Sequence, residues 1–314
     1  MSENPHHIIE SQQFDRPFLE DELFPITKEM ELLAKDDRWL LNRNDRPLGG
    51  KIVCHLFYEP STRTRISFET AVAKLGGTAL STENAREFSS AVKGESLEDT
   101  IRVINGYGHD AIVLRHLEEG AALRAANVSE VPVINAGDGA GQHPTQALLD
   151  VYTIWKELGR IDGIRIAMVG DLINGRTVHS LAYLLAKFEG VHIDFISPSI
   201  FRIKQGIPEY LERHKVSFTE NKSLEEVLPG VDVVYMTRVQ KERMQHGMKF
   251  GSQEEYRMDL KALQTLSEKS IVMHPLPRND ELPKEVDNDS RVACFRQAQN
   301  GLYVRMALLK ILLG

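Results

Sequence analysis

Three hydroxyl side chains and two arginines occupy five consecutive positions in the stretch Ser61-Thr-Arg-Thr-Arg65. This stretch follows a short apolar run and leads directly into a helical pattern. Free backbone N–H groups at a helix N-terminus favour an anion, and guanidinium groups bind phosphate through paired hydrogen bonds. A serine or threonine N-cap followed by solvated arginines is the plain alternative, but capping requires only one of the hydroxyls. The stretch therefore predicts a phosphate site.

A second turn between a strand and a helix, Gly170-Asp-Leu-Ile-Asn-Gly-Arg-Thr177, nearly matches the nucleotide P-loop pattern. Arg176 stands where that pattern has lysine, and arginine does not replace the compact lysine charge between two phosphates. No apolar strand ending in aspartate, which would hold magnesium, is evident downstream. A P-loop NTPase is thus the alternative from another class. The turn better predicts a second anion site that presents Arg176 to a carboxylate or phosphate.

A glycine-rich segment, residues 137–141, precedes His143-Pro-Thr-Gln146 at the start of another helical pattern. The glycine spacing does not match the G-x-G-x-x-G dinucleotide loop. His143 and Gln146 are three residues apart at a helix start, where both can reach a carbonyl oxygen; a structural histidine is the alternative. The sequence assigns no role to Asp138.

The polar segment Ser89–Ser96 contains a glycine and predicts an exposed loop ahead of a helix. Ser96, with Asp99 at the third helical position, fits a helix N-cap. Capping explains Ser96 and leaves Lys93 without a structural role, so Lys93 is a candidate for binding.

Several polar side chains directly follow apolar runs. Arg115 follows one such run, and Arg238 and Gln240 follow another. Positions just past strand ends face the ligand crevice of open α/β sheets, although a solvated charge run is the alternative for the second segment. The segment Ile271–Arg278 ends a strand with two prolines, which favours a rigid turn that presents backbone carbonyls to an amine.

The elements that position these side chains alternate between apolar runs and helix-period stretches. This alternation predicts an α/β fold with two consecutive doubly wound, parallel-sheet domains. The predicted strands are Ile52–Phe57, Ala111–Leu114, Val131–Ile134, Arg165–Val169, His192–Ile196, Val231–Met236 and Ile271–Met273. Glycines end the helical stretches, and the predicted domains cover 1–142 and 143–298. A last helix, with apolar positions between Leu302 and Leu313, is expected to pack back onto the first domain.

Composition bounds the class of protein. The chain has 314 residues, 42% of them hydrophobic and 26% charged, which fits two globular domains and excludes a disordered chain. The net charge of −7 and the lack of a basic stripe argue against nucleic-acid binding. No apolar run approaches the ~18 residues of a membrane span, and the N-terminus lacks the apolar region of a signal peptide. Cys54 and Cys294 form neither a disulfide framework nor a metal motif, so a cytoplasmic location is expected.

Together these motifs resemble the aspartate/ornithine carbamoyltransferase superfamily, and within it the aspartate enzymes, over nearly the whole chain. The stretches that carry the resemblance are Ser61–Arg65, Lys93–Glu95, Arg115-His116, His143–Gln146, Gly170–His179, Met236–Arg243 and His274-Pro-Leu-Pro277. Ornithine enzymes typically have His-Cys-Leu-Pro in the last motif and a Ser-Met-Gly loop in the preceding one. Pro275, Arg238 and Gln240 therefore favour aspartate, and a carbamoyltransferase for another amine, such as ornithine, is the alternative.

The resemblance implies transfer of the carbamoyl group from carbamoyl phosphate to the amine of L-aspartate, an early step of pyrimidine biosynthesis. It implies a carbamoyl-phosphate-binding domain over 1–142, with the helix of about 299–314 packed on it, and an aspartate-binding domain over 143–298. The active site is then expected in the cleft between the domains, shared between subunits of a homotrimer. No metal ion or organic cofactor is required. Regulatory chains or dihydroorotase are open as further partners.

The resemblance also implies roles for individual residues. Those expected to bind carbamoyl phosphate are Ser61, Thr62, Arg63, Thr64, Arg115, His143, Gln146, Leu276 and Pro277. Those expected to bind aspartate are Ser89, Lys93, Arg176, Arg238 and Gln240, with Ser89 and Lys93 arriving from the neighbouring subunit. The residues expected to act in catalysis are Arg63, Thr64, Lys93, Arg115, His143 and Gln146. A cis bond between Leu276 and Pro277 is implied as well.

Overall fold

The computed structural model of the chain describes residues 7–36, 46–82, 85, 90–220, 222–238 and 253–314. The chain forms two compact units. Unit 1 comprises Met1–Leu149 with Gln299–Gly314, and unit 2 comprises Asp150–Ala298. The boundary that the sequence predicts after residue 142 lies a few residues before the change from unit 1 to unit 2.

The described residues form strands and helices in alternation. The strands are β1 (Ile52–Phe57), β2 (Thr78–Thr82), β3 (Ala111–His116), β4 (Val133–Asp138), β5 (Arg165–Val169), β6 (His192–Ile196), β7 (Ser217–Thr219), β8 (Val233–Met236) and β9 (Ile271–Met273). The α-helices are α1 (Phe24–Lys35), α2 (Thr62–Lys74), α3 (Leu97–Gly106), α4 (Ala121–Ala126), α5 (Pro144–Leu158), α6 (Arg176–Leu185), α7 (Ile207–Arg213), α8 (Leu224–Val227), α9 (Leu260–Thr265) and α10 (Cys294–Leu313). A π-helical segment, Phe18–Leu23, precedes α1.

Each unit is built on a parallel sheet. The four strands of unit 1 have the spatial order β2-β1-β3-β4, and the five strands of unit 2 have the order β7-β6-β5-β8-β9. Every pairing between these strands is parallel. The structure therefore confirms the predicted α/β class with two parallel sheets.

The predicted strands β1, β5, β6 and β9 are confirmed with the same bounds. Strand β3 ends two residues later than predicted and β8 begins two residues later, whereas β4 begins two residues later and ends four residues later. Helix α10 begins at Cys294 instead of Leu302. Its first turns bury the polar Gln297 and Asn300 and expose Phe295, so no apolar periodicity marks them as helical.

Buried apolar side chains cover both sheets. In unit 1, Leu56, Ile112 and Leu114 of the sheet pack with Ile101 and Ala122 of the helices. In unit 2, side chains such as Val169, Val234 and Val272 pack with the helices and turns that follow their strands. In the described part of the chain, no helix is long and apolar enough to cross a membrane.

The topology decides which predicted motifs come together. Parallel strands end at the same edge of their sheet, and β1, β3 and β4 are neighbours in unit 1. The motifs that contain Ser61, Arg115 and His143 end or follow these three strands. In unit 2 the segments that contain Arg176, Arg238 and Leu276 follow β5, β8 and β9, which are also neighbours.

Candidate active site

The N-terminus of α2 carries the predicted phosphate motif. Ser61 is its N-cap residue, with extended backbone, but the serine side chain makes no capping hydrogen bond. Thr64 is buried in the first turn, whereas Arg63 is exposed and has no ion-pair or hydrogen-bond partner among the described residues. Arg65, by contrast, pairs with Glu69 one turn along the helix, at 3.1 Å from guanidinium nitrogen to carboxylate oxygen. Arg65 therefore forms an ion pair within the helix, whereas Arg63 and the hydroxyls are available to an anion.

Arg115 lies on β3 with its side chain against the turn that follows β1. It is only 9% exposed, and its position in the sheet is level with Phe57 of β1. Its Nη2 donates to Glu59 Oε1 at 2.9 Å, and its Nη1 donates to the carbonyl of Ala136 at 3.1 Å. The Glu59 carboxylate neutralises the guanidinium charge, which would be costly to bury alone, and the two bonds together orient the group.

His143 is buried immediately before α5 and its Nδ1 lies 3.4 Å from the Thr145 hydroxyl. Gln146 is half-buried in the first turn of the same helix, where its backbone N–H donates to the His143 carbonyl at 3.0 Å. The helix start thus holds both side chains that the sequence predicts to reach a carbonyl oxygen.

Asp138, to which the sequence assigns no role, fixes the loop that precedes His143. Its buried carboxylate accepts from the Asn135 amide at 3.1 Å and from the backbone N–H groups of Gln142 at 3.0 Å and Gly120 at 2.9 Å. A Cβ at Gly139 would lie 2.7 Å from backbone atoms of the neighbouring loop. The glycines of this loop therefore serve close backbone packing, which argues against a nucleotide loop.

Lys93 is the exposed last residue of a 3₁₀ turn, Ser90–Lys93, ahead of α3. It has no hydrogen-bond or ion-pair partner in the part of the chain that the structure describes. The Ser96 hydroxyl accepts from the backbone N–H of Asp99 at 3.1 Å, which confirms the predicted N-cap. Ser89 lies outside the described residues, so its predicted role is not addressed by the structure.

Arg176 is the half-buried first residue of α6. The loop before it is closed from within, because the Asp171 carboxylate accepts from the backbone N–H of Asn174 at 3.0 Å and from its side-chain amide at 3.2 Å. His179 Nε2 donates to the carbonyl of Leu172 at 2.7 Å. A carboxylate inside the loop takes a donor that a P-loop would offer to phosphate, which argues against the nucleotide alternative.

The loops after β5 and β8 approach each other closely at Gly170 and Thr237. Gly170 has a φ of +117°, and a Cβ there would lie 2.3 Å from the Thr237 carbonyl oxygen. The Thr237 hydroxyl also donates to the Val169 carbonyl at 2.8 Å. Arg238 is the next residue after Thr237 and is half-buried. The close contact between Gly170 and Thr237 therefore fixes the point at which the chain that carries Arg238 leaves the sheet. Gln240 lies outside the described residues.

The turn after β9 contains a cis bond between Leu276 and Pro277, as the resemblance predicts. The backbone N–H of Leu276 donates to His274 Nδ1 at 2.8 Å, so the proton of the neutral imidazole is on Nε2, which lies 3.0 Å from Glu281 Oε1. Burial opposes ionisation of Glu281, but hydrogen bonds from His274 and from the Asn279 backbone outweigh it and lower the pKa of the Glu281 carboxyl.

Two parallel-sheet units, each with basic and hydroxyl side chains at the carboxyl edge of its sheet, define an enzyme class that handles anionic substrates. Residues 6–156 match the carbamoyl-phosphate-binding domain of the aspartate/ornithine carbamoyltransferases, and residues 162–312 match the Asp/Orn-binding domain. The chain belongs to the aspartate/ornithine carbamoyltransferase family.

Relatives and solved structures agree with this assignment. A chloroplastic aspartate carbamoyltransferase of Oryza sativa subsp. japonica is 54% identical over 98% of this chain and 84% of its own length. An aspartate transcarbamoylase structure from Trypanosoma cruzi, in complex with carbamoyl aspartate and phosphate, is 38% identical with a TM-score of 0.88, covering 98% of this chain and 96% of that one. The catalytic subunit of the M. jannaschii enzyme is 46% identical with a TM-score of 0.86, covering 98% and 97%.

Proposed function

We propose that this chain transfers the carbamoyl group of carbamoyl phosphate to L-aspartate, giving N-carbamoyl-L-aspartate and phosphate. The observation that carries the proposal is the pair of cationic strand-end clusters, one in each unit, in a chain of net charge −7. The reaction joins two anions and therefore needs positive charge for one phosphate and two carboxylates. The Trypanosoma cruzi structure with carbamoyl aspartate and phosphate supports the same substrates.

Carbamoyl phosphate binds in unit 1 on this proposal. The groups that hold its phosphate are Ser61, Thr62, Arg63, Thr64 and Arg115. Thr64, Arg115 and His143 also donate to the carbamoyl oxygen, and Gln146 lies near the carbamoyl amide. Negative charge develops on that oxygen in the transition state, and a donor already in place there is worth ~3–4 kcal/mol when judged by its removal.

Aspartate binds in unit 2, where Arg176, Arg238 and Gln240 hold its carboxylates. Leu276 and Pro277 orient the neutral amine from the turn after β9 and also border carbamoyl phosphate. The amine attacks the carbamoyl carbon, so a C–N bond forms while the bond from carbon to the phosphate oxygen breaks. The amine proton passes to the leaving phosphate, since no other base stands out. Holding the two substrates in line lowers the barrier by several kcal/mol.

The catalytic form is a homotrimer with shared active sites, in which Ser89 and Lys93 come from the neighbouring subunit. The exposed position of Lys93, with no partner among the described residues, supports this arrangement. A role early in pyrimidine biosynthesis follows from the product. A cytoplasmic location rests on composition alone, and cell fractionation tests it.

A competition between amines tests the proposed function. Purified protein is supplied with carbamoyl phosphate and an equal mixture of L-aspartate and L-ornithine, and the products are identified by mass spectrometry. We expect N-carbamoyl-L-aspartate alone, because guanidinium groups face the second substrate and select carboxylates. Citrulline as the main product would show that the interpretation of Arg238, Gln240 and Pro275 is wrong.

A further inference from the structure

A buried carboxylate in unit 2 has no place in the chemistry described above. Asp150, on α5, is 0% exposed. Its Oδ2 accepts from the Tyr235 hydroxyl at 2.7 Å, and its Oδ1 accepts from Gln297 Nε2 at 2.7 Å. A carboxylate at this depth is strongly destabilising unless donors hold it, so these hydrogen bonds are required for the fold to tolerate the charge.

The first arm of the network leads to the loop that carries Arg176. Tyr235 is fully buried on β8, and its hydroxyl also hydrogen-bonds the side chain of Thr177, the residue after Arg176. Burial, together with the Asp150 charge, raises the pKa of Tyr235 well above its usual value. The phenol therefore keeps its proton at neutral pH and donates it to Asp150.

The second arm leads to the turn that carries Leu276. Gln297, on α10, accepts from the backbone N–H of His274 at 2.9 Å through its Oε1. His274 Nδ1 in turn accepts from the Leu276 N–H at 2.8 Å, and Glu281 holds the other side of the imidazole at 3.0 Å. Each bond in this arm has a fixed donor and acceptor, so the Gln297 amide has one orientation.

We propose that Asp150 is a positioning residue that sets the Arg176 loop and the Leu276 turn at a fixed separation. Both elements bind aspartate under the proposed function, on which this inference rests. They follow β5 and β9, which are not neighbours, because β8 lies between them in the sheet. The network spans that gap with side chains. Apolar residues of similar volume would stabilise the core as well, so what the buried charge supplies is relative position.

Tyr235→Phe is the most direct test, because it removes the bonds to Asp150 and Thr177 and keeps the ring. We expect KM for aspartate to rise ~10-fold or more. Residues that hydrogen-bond the ligands of metal sites, and so position them indirectly, have effects of this size when they are replaced. The dissociation constant of carbamoyl phosphate, measured by calorimetry, is expected to change less than KM for aspartate, because only the Leu276 turn borders carbamoyl phosphate whereas both positioned elements bind aspartate. Tyr210→Phe is the matched control: it removes a hydroxyl from α7 of the same unit, outside the network, and is expected to leave both constants unchanged.

A second variant, Gln297→Met, breaks the other arm at similar volume. If the network acts as one unit, the double variant raises KM for aspartate by less than the product of the single effects. Independent, multiplicative effects would overturn the proposal, as would a Tyr235→Phe protein that melts earlier than the wild type but has the KM of the control. Glu281→Met, at the half-buried end of the second arm, replaces Gln297→Met if that variant does not fold.

The wild type separates the two possible failures. A wild-type enzyme that does not use aspartate contradicts the proposed function, and the positioning role falls with it. An active wild type with an unaffected Tyr235→Phe variant contradicts the positioning role alone.

Discussion

The arginines of unit 1 differ in whether the fold pairs them with a carboxylate, buries them or leaves them exposed. Arg63 and Arg65 are two residues apart on the first turn of α2, yet Arg65 is paired with Glu69 and Arg63 is exposed without a partner among the described residues. Arg115 is buried and held by Glu59. A guanidinium that the fold neither pairs nor buries is the one available to a substrate phosphate.

The sequence could indicate which residue types do chemistry, but not which residues support them. Hydroxyls and arginines before a helix are recognisable from their spacing alone. Glu59 lies two residues before that motif, and a carboxylate so close to a predicted phosphate site is a signal that could have been used. The role of Asp138 depends on the N–H of Gly120, 18 residues away, which no local pattern announces.

Buried His55 makes a pH-dependent prediction at the residue scale. It lies on β1 at 0% exposure, with Nδ1 3.1 Å from the Ser81 hydroxyl, and its Nε2 has no hydrogen-bond partner among the residues that the structure describes. Burial lowers the pKa of His55 from 6.5 to about 4. As the pH falls through 6.5, His55 takes up a proton in the unfolded chain before it does so in the fold. The neutral, buried His55 therefore contributes its full stability above pH 6.5, and this contribution is lost as the pH falls toward 4.

We expect the free energy of unfolding of the wild type to fall, relative to His55→Gln, by up to ~3 kcal/mol between pH 7 and pH 4. Urea unfolding of both proteins at several pH values measures the difference, and other titrating groups cancel because the two proteins share them. Parallel pH curves for the two proteins would mean that His55 titrates normally in the fold.

At the scale of elements, parallel strands explain why separate motifs form one edge in each unit. The sequence predicted seven of the nine strands that the described residues form, and it missed β2 and β7. Both are edge strands: β2 is half-exposed and polar, and β7 has only three residues. The residues of β2 and β7 are largely exposed or half-buried and therefore carry little apolar signal, whereas β4 and β9, also at sheet edges, are buried along their length and were predicted.

The contact between the β5 and β8 loops gives a prediction for Gly170→Ala. A methyl group cannot fit 2.3 Å from the Thr237 carbonyl, and the φ of +117° disfavours any side chain. We expect a loss of ~2–3 kcal/mol in the free energy of unfolding, with a higher KM for aspartate because the Arg176 loop must shift.

Gly106→Ala is the matched control, since Gly106 ends α3 and a Cβ there meets no atom within 4 Å. That variant is expected to be neutral or slightly stabilising, because alanine restricts the unfolded chain. Chemical denaturation measures the free energy of unfolding of the two variants, and steady-state kinetics measures their KM for aspartate. Equal behaviour of Gly170→Ala and Gly106→Ala would contradict the close approach.

At the scale of the whole molecule, the polar contacts that join separate elements of the site link distant parts of the chain. Asp150 reaches Tyr235 across 85 residues and Gln297 across 147. Such pairs leave no trace in local periodicity, so sequence alone gave the two-unit plan and the strand-end residues without the network that supports them. The cationic edges oppose the net charge of −7, which makes them stand out on an acidic chain.

A mixing experiment tests the proposed sharing of active sites. Lys93→Ala and Arg63→Ala enzymes are each expected to be nearly inactive, because each lacks one charge at every site. After subunit exchange, some sites in the mixed oligomers receive an intact Lys93 from one subunit and an intact Arg63 from another, so activity is expected to return. Mixed oligomers that are verified by mass spectrometry and yet stay inactive would rule out sharing.

The central claim is that carbamoyl phosphate binds at the N-terminus of α2 through Arg63, the exposed arginine of that motif, which has no partner within the described segments. The most direct measurement compares KM for carbamoyl phosphate in Arg63→Ala and Arg65→Ala. A lost charge-assisted hydrogen bond to phosphate corresponds to about 1.5–3 kcal/mol, so KM should rise ~10–100-fold in Arg63→Ala and stay within about twofold in Arg65→Ala. An unchanged KM in Arg63→Ala, or an equal rise in both variants, would contradict the claim.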